Sequence, residues 1–221
     1  MPATLVSILR AVGLSVGLLA AVYVPTFVIV SLHKASLDVA VALICGLSVL
    51  IALALMTVLG ASAHYTSAEF GFRWPDRKSV AWAVFAGIPT ALAAAWLDQR
   101  FGSAGPLAGL TLSLPAALAF FGVCAPVQEE IIFRGLVQTV AARNCVGDVM
   151  FAGVRISYAA LIAAALFGLV HLEVAVFTAV TAFGLGVFAG ELRKRSGSLL
   201  PPVVLHALFN AASFLFVSAH R

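Results

Sequence analysis

Apolar residues along this chain form long runs with few charged positions between them. A helix needs roughly 20 apolar residues to cross a bilayer, so each such run predicts a membrane-spanning helix. The candidate segments are Leu5–Val30, Leu37–Leu59, Val80–Leu97, Leu107–Ala142, Ile156–Leu172, Val174–Ala189 and Leu199–Val217. The pattern therefore predicts an all-α protein, a polytopic transmembrane helical bundle.

The fourth segment, Leu107–Ala142, is too long for one straight crossing, because a helix rises only about 1.5 Å per residue. Pro115 and Pro126 lie inside it, and proline in a helix interior removes a hydrogen bond and bends or breaks the helix. The segment is therefore one bent pass or two passes. The bundle accordingly has about seven to eight membrane-spanning helices.

Composition agrees with a membrane protein. Hydrophobic residues make up 62% of the 221 positions and charged residues only 10%, with a mean hydropathy of +1.10, whereas soluble domains carry about 25% charged residues. The net charge of +4 reflects basic residues in short loops, where they set topology, and does not indicate nucleic acid. Three cysteines without metal-ligand spacing indicate neither a metal site nor a disulfide framework.

The basic residues favour a single pass for the fourth segment. With the N-terminus inside, seven crossings place nine Lys and Arg residues in inner loops and three in outer loops, whereas eight crossings give five inside and seven outside. Cytoplasmic loops carry an excess of Lys and Arg. The count therefore predicts seven crossings with a cytoplasmic N-terminus.

Two acids and an arginine interrupt the apolar sequence between Cys124 and Gly135. Ionised side chains are costly in hydrocarbon and are usually functional there. In a helix, Glu130 and Arg134 are four residues apart, in the favourable order for an ion pair. Glu129 points about 100° away. We expect one acid to be neutralised in place and the other to be available for chemistry, although the pair could also serve helix packing alone.

Two later segments contribute further polar side chains. Phe167 and His171 are four residues apart, so the ring can pack on the imidazole, and His206 and Asn210 share one helix face in the same way. A single intramembrane His or Asn is often only an interhelical contact. Together with a carboxylate, two imidazoles and an amide can activate water and stabilise an oxyanion. These are the functional groups that hydrolysis of an amide bond requires.

Three motifs together resemble the signatures of the CPBP membrane proteases, the CAAX-protease and bacteriocin-processing family, which includes the Ras-converting CAAX endopeptidases. They are Glu129-Glu130-xxx-Arg134, Phe167-xxx-His171 and His206-xxx-Asn210. The segment Glu69–Arg73 is similar to one that recurs before the family's third helix. The resemblance covers residues 65–215 of a single domain, residues 1–221, whose first two helices, residues 1–59, are generic.

The resemblance implies a glutamic-type intramembrane endopeptidase that needs no cofactor or metal. Its first glutamate would activate water with help from the histidine of the second motif, and the histidine and asparagine of the third would stabilise the oxyanion. The implied catalytic residues are Glu129, His171, His206 and Asn210, and the supporting residues are Glu130, Arg134 and Phe167. Characterised relatives have eight helices, where the charge count favours seven.

The resemblance also implies a partner and a location. The substrate would be a protein or peptide cleaved near a hydrophobic or lipidated C-terminal segment, within membrane lipid. The location would be a prokaryotic cytoplasmic membrane. The compact chain is similar to the myxosortases, a branch that processes C-terminal sorting tails of exported proteins.

Two other functions remain open at this point. A zinc protease could use Glu129, His171 and His206 as ligands, although no HExxH pair lies on one helix. A non-catalytic immunity protein or scaffold could hold a membrane peptide in the same place.

Several other side chains are expected to have no chemical role. Cys124 is interpreted as a small apolar core residue, with a thiol at the pocket edge as the alternative. The charged residues at helix ends are expected to be solvated: Arg10, Lys34, Glu173, Glu191 and Arg193–Arg195.

The charge count gives a topological prediction. Reporter fusions should place Arg73–Lys78 and Arg193–Gly197 in the cytoplasm and His220 outside, because this arrangement keeps the basic loops on the inner face. A cytoplasmic C-terminus would contradict the single pass and require eight crossings.

Overall fold

The computed structural model describes residues 4–33, 37–101, 114–172 and 174–219. Within these residues the chain forms seven helices and one two-stranded antiparallel hairpin. The helices are α1 (Leu5–Leu32), α2 (Leu37–Ala63), α3 (Arg77–Phe101), α4 (residues 114–144), α5 (Tyr158–Val170), α6 (Val176–Ser196) and α7 (Leu200–Ala219); the strands are β1 (Asp148–Phe151) and β2 (Val154–Ser157). The predicted all-α polytopic class is confirmed, and the small hairpin is an addition that the apolar pattern did not predict.

Helix α4 is one continuous helical run whose hydrogen-bond spacing changes along its length. Its segments are Leu114–Ala119, Phe120–Cys124, Ala125–Glu130, Ile131–Val137 and Gln138–Asn144, of which the second and fourth are π-helical. Pro126 follows the first π-helical segment and does not end the helix. Residues 107–113 of the predicted fourth segment lie outside the described residues.

The outer surface of the bundle suits a lipid environment. In the part of the chain that the structure describes, four helices are long and apolar enough to cross a membrane: Leu5–Leu32, Val39–Ala63, Arg77–Leu97 and Val176–Ser196. Two shorter helices, Tyr158–Val170 and Leu200–Leu215, are also apolar. Large apolar side chains such as Leu5, Phe85 and Val176 are exposed on the surface, as expected where the solvent is hydrocarbon.

Charged side chains join the loops at one end of the bundle. Arg143, at the end of α4, pairs with Glu69 at 2.6 Å, and Lys194 of α6 pairs with Asp148 of β1 at 2.6 Å. The loop after α2, the hairpin and the end of α6 therefore lie at the same end. Seven crossings require these three segments to lie on the same side of the membrane. The membrane face on which they lie stays a prediction.

The loop between α2 and α3 is held in place by Gly71 and two arginines. Gly71 has φ +92°, and a Cβ there would lie 2.6 Å from the Arg193 guanidinium, so both the backbone and the space require glycine. Hydrogen bonds from Arg143 hold the pKa of Glu69 below its ordinary value. Their stabilising contribution is therefore present above the unfolded-state pKa and is lost as the pH falls through the lowered one.

Two expectations about solvated charges are wrong. Glu191 is buried and accepts hydrogen bonds from the Ser157 backbone N–H at 2.7 Å and hydroxyl at 2.9 Å. Arg193 is also buried and donates to the Glu69 carbonyl at 2.6 Å. These charges fix the hairpin and the loop after α2 to α6. Arg10, Lys194 and Arg195 are exposed as expected, while Lys34 and Glu173 lie outside the described residues.

Cys124 is exposed on the side of α4. The expectation of a buried core residue is therefore wrong. The alternative of a thiol at the pocket edge gains no support, since Cys124 is not among the residues lining the cavity described below.

Helices α5 and α6 pack closely through glycine. A Cβ on Gly186 would lie 2.9 Å from the Cα and Cβ of Ala164, and one on Gly190 would lie 2.8 Å from the Cβ of Ala160. Small residues at such positions let helix backbones approach in membranes. The Gly186-xxx-Gly190 spacing therefore forms the close contact between α5 and α6.

The close α5–α6 contact predicts a difference between two neighbouring glycines. Gly186→Ala should lower the stability by about 1–3 kcal/mol, the usual cost of overpacking, measured as detergent-solubilised thermal unfolding. Gly184→Ala is the matched control, because a Cβ at Gly184 meets nothing within 4 Å. Equal melting temperatures for the two variants would contradict the contact.

Candidate active site

A fully buried ion pair lies at the centre of the site. Arg134 Nη1 donates to Glu130 Oε1 at 2.9 Å, and neither side chain is exposed. The same carboxylate oxygen accepts a hydrogen bond from His206 Nδ1 at 2.8 Å. The predicted pairing of Glu130 with Arg134 is therefore present, and it extends from α4 to α7 through the imidazole.

The second glutamate has a different environment. Glu129 is 20% exposed, and its Oε2 lies 3.6 Å from His206 Nε2. Because Nδ1 of this imidazole is occupied by Glu130, Nε2 is the nitrogen left to face Glu129. His206 thus stands between the two acids, a contact that the motif spacing did not reveal.

The ring of Phe167 forms a platform under the charged groups. Arg134 lies over it at 4.6 Å, and the ring makes edge-to-face contacts with His171 at 4.6 Å and His206 at 5.6 Å. Cations and imidazole edges interact favourably with an aromatic face. The apolar residue of the second motif therefore positions the polar residues of all three motifs.

His171 ends α5 and is oriented by the backbone of its own helix. Its Nδ1 lies 2.7 Å from the Phe167 carbonyl oxygen. A carbonyl can only accept, so Nδ1 carries the proton of the neutral ring and Nε2 is an acceptor. This tautomer leaves a basic nitrogen on a side chain that lines the cavity.

Asn210 is positioned by a proline on another helix. In the π-helical segment, the Ala125 N–H bonds the Phe120 carbonyl, five residues back. The next donor in this register is Pro126, which has no N–H. The Phe121 carbonyl is therefore left for Asn210 Nδ2, which donates to it at 3.1 Å. Sequence reasoning noted Pro126 only as a helix breaker and missed this role.

These side chains meet at a largely apolar cavity of about 270 Å³. Glu129, His171, His206 and Asn210 all line it, whereas Glu130 and Arg134 lie behind the wall. Its other lining residues include Phe120, Phe121, Val174, Leu185, Phe209, Thr178, Thr181 and Ser213. The structure thus brings the four predicted catalytic residues to one surface and separates them from the supporting pair.

The arrangement differs from the expected one in one respect. His171 was expected beside Glu129, but the imidazole in contact with Glu129 is that of His206. Among the residues that the structure describes, no three His, Cys, Asp or Glu side chains form a group suited to a metal ion. The Glu129, His171 and His206 ligand set considered for zinc therefore has no geometric support.

Comparison with known proteins finds one family model that is similar to the part of the chain holding the site. The family model described as Type II CAAX prenyl endopeptidase Rce1-like matches residues 111–212. This matched segment holds all three motifs, so the comparison confirms the resemblance to CAAX-type membrane endopeptidases drawn from the motifs. No curated protein and no solved structure matches the chain.

The unequal burial of the two acids predicts unequal effects on folding. Glu130→Ala should lower the stability by about 3–5 kcal/mol, because it leaves Arg134 as an uncompensated buried charge. Arg134→Ala should have a similar effect. Glu129→Ala is the matched control and should melt close to the wild type, since this side chain is partly exposed. The measurement is thermal unfolding in detergent; equal losses for the two glutamates would contradict the assignment.

Proposed function

We propose that this chain is a glutamic-type intramembrane endopeptidase that cleaves a protein or peptide near a hydrophobic or lipidated C-terminal segment. The observation that carries the proposal is the position of Glu129. Its carboxylate lies on the wall of an apolar cavity, 3.6 Å from an imidazole nitrogen, while the adjacent acid is fully buried and its Oε1 accepts hydrogen bonds from both Arg134 and His206.

Glu129 is the proposed general base. It takes a proton from a water molecule as the water oxygen bonds to the scissile carbonyl carbon. His171 accepts the second hydrogen bond of that water through Nε2, since its Nδ1 is held by the Phe167 carbonyl. As the C–N bond breaks, Glu129 returns the proton to the leaving nitrogen, so no covalent intermediate is required.

His206 and Asn210 are the proposed donors to the oxyanion. His206 is oriented by its hydrogen bond to Glu130, and in its protonated form Nε2–H can donate to developing negative charge. The Asn210 amide has two N–H donors, of which one is held by the Phe121 carbonyl and the other is available. Such pre-oriented donors act strongly where water is excluded.

The cavity wall supports the proposed class of substrate. Phenylalanine, valine and leucine side chains surround the polar residues, so an extended apolar segment can be held with its backbone beside Glu129. The proposal also includes a location and a biological role. The protein lies in a prokaryotic cytoplasmic membrane with its N-terminus on the inner face, and it takes part in sorting an exported protein.

The main competing function is a non-catalytic scaffold that holds a membrane peptide in the same cavity. The two functions differ in what they require of Glu129. A scaffold needs the shape of this side chain, whereas the proposed hydrolysis needs its carboxylate as a base. A zinc-dependent reaction would be distinguished by loss of activity on chelation.

The proposed chemistry predicts a set of activity losses. Glu129→Gln should fold normally and turn over no substrate, because it keeps the shape and removes the base. His171→Ala should behave in the same way. His206→Ala and Asn210→Ala should each lose about 100–1000-fold in kcat, the usual effect of removing one oxyanion donor. The measurement is cleavage of a peptide with a hydrophobic C-terminal tail by reconstituted protein.

Asp76→Asn provides the matched control. It makes the same acid-to-amide change in an exposed loop, and asparagine can replace the Asp76 cap that accepts from the Ser79 N–H at 2.8 Å. Full activity is expected for it. Substrate turnover by Glu129→Gln would contradict the proposed base and favour the scaffold. If Glu129→Gln unfolds while Glu130→Gln is stable but inactive, the roles assigned to the two glutamates are the wrong way round.

A further inference from the structure

The hairpin between α4 and α5 has one entirely apolar face. Its strands pair Val149 with Ile156 and Phe151 with Val154, and side chains of directly paired residues lie on the same side of a sheet. The turn between them is tight, with positive φ at Ala152 and Gly153, as in a two-residue hairpin loop. Phe151 is 70% exposed and Val154 51% exposed.

The opposite face of the hairpin is attached to the bundle. Asp148 pairs with Lys194 at 2.6 Å, and Ser157 donates to Glu191 at 2.9 Å, so this face lies against the end of α6. The apolar face therefore points away from the protein. Exposed apolar surface of this kind commonly marks contact with a membrane or another partner.

The length of α5 sets the depth of the hairpin. This helix has 13 residues and spans about 20 Å. Its far end carries His171 on the wall of the cavity. The near end therefore lies about 20 Å from the cavity, at the end of the bundle where Arg143 and Lys194 form ion pairs. Charged side chains are costly in hydrocarbon, so this end belongs at the headgroup level.

The charges near the hairpin complement an anionic leaflet. Arg155 projects from the hairpin, and Lys194 and Arg195 lie beside it on α6; all three are exposed. Lys194 pairs with Asp148 at 2.6 Å and Arg195 lies 3.9 Å from Glu191, so these three cations and two carboxylates leave one net positive charge. Basic residues next to a membrane surface are attracted to anionic lipids. An apolar face flanked by cations is the composition of an interfacial anchor.

We propose that the apolar face formed by Val149, Phe151, Val154 and Ile156 inserts into the headgroup region of an anionic lipid leaflet. The hairpin is thus an interfacial anchor that fixes the start of α5 at the membrane surface. This surface lies outside the cavity and is independent of the proposed hydrolysis.

Spin labels on the two faces test the anchor. Phe151→Cys reports the apolar face, Met150→Cys is the matched control on the other face, and Val180→Cys on the exposed side of α6 is a hydrocarbon reference. The exposed Cys124 is first replaced by serine. Nitroxide accessibility to oxygen and to a water-soluble nickel complex is then measured in phosphatidylcholine bilayers with and without phosphatidylglycerol.

The label at position 151 should be several-fold more accessible to oxygen than to nickel, as at position 180, while position 150 should show the reverse. Adding phosphatidylglycerol should deepen position 151. An aqueous label at position 151 in both bilayers overturns the anchor. Protection of position 151 from both reagents also overturns it, because a protein surface or a second copy would then cover the face. An unchanged depth on adding phosphatidylglycerol overturns the role of anionic lipid.

Discussion

The buried contact among Glu130, Arg134 and His206 is the interaction on which the site depends. Removing two charges from water costs several kcal/mol per ion, so the pair persists only with good geometry and further hydrogen bonds. His206 provides one such bond at 2.8 Å, and Phe167 covers the guanidinium. The cost of burial therefore fixes the orientation of His206, and through it the nitrogen that faces Glu129.

The irregular hydrogen bonding of α4 serves the same arrangement. A π-helical turn shifts the phase of all later side chains, and such turns are frequent at functional sites. The turn before Pro126 frees the Phe121 carbonyl for Asn210. The second, Ile131–Val137, contains Arg134. In a straight α-helix, the Phe121 carbonyl would accept from the Ala125 N–H, four residues further on. It would then not be left for Asn210.

Much of this architecture follows from the sequence, because membrane helices need long apolar runs and intramembrane charges are rare. The helix positions, the Glu130–Arg134 pair and the gathering of Glu129, His171, His206 and Asn210 could all be inferred in that way. The contact of His206 with both acids could not, because spacing along one helix does not determine register between helices. Glu191 and Arg193 were misjudged for a related reason: their partners, Ser157 and the Glu69 carbonyl, are distant in sequence.

The two ends of the bundle have different physical roles. At one end, Arg143, Arg193 and Lys194 join the loops through charged contacts, which lock the ends of α4 and α6 to their neighbours. The apolar cavity lies further along the helices, where α5 ends at His171 and the first π-helical turn of α4 opens beside Asn210. The polar contacts that join the loops are therefore separate from the cavity that Glu129, His171, His206 and Asn210 line. The carboxylate of Glu129 can remain partly exposed there because the adjacent Glu130, and not Glu129, bears the structural pairing.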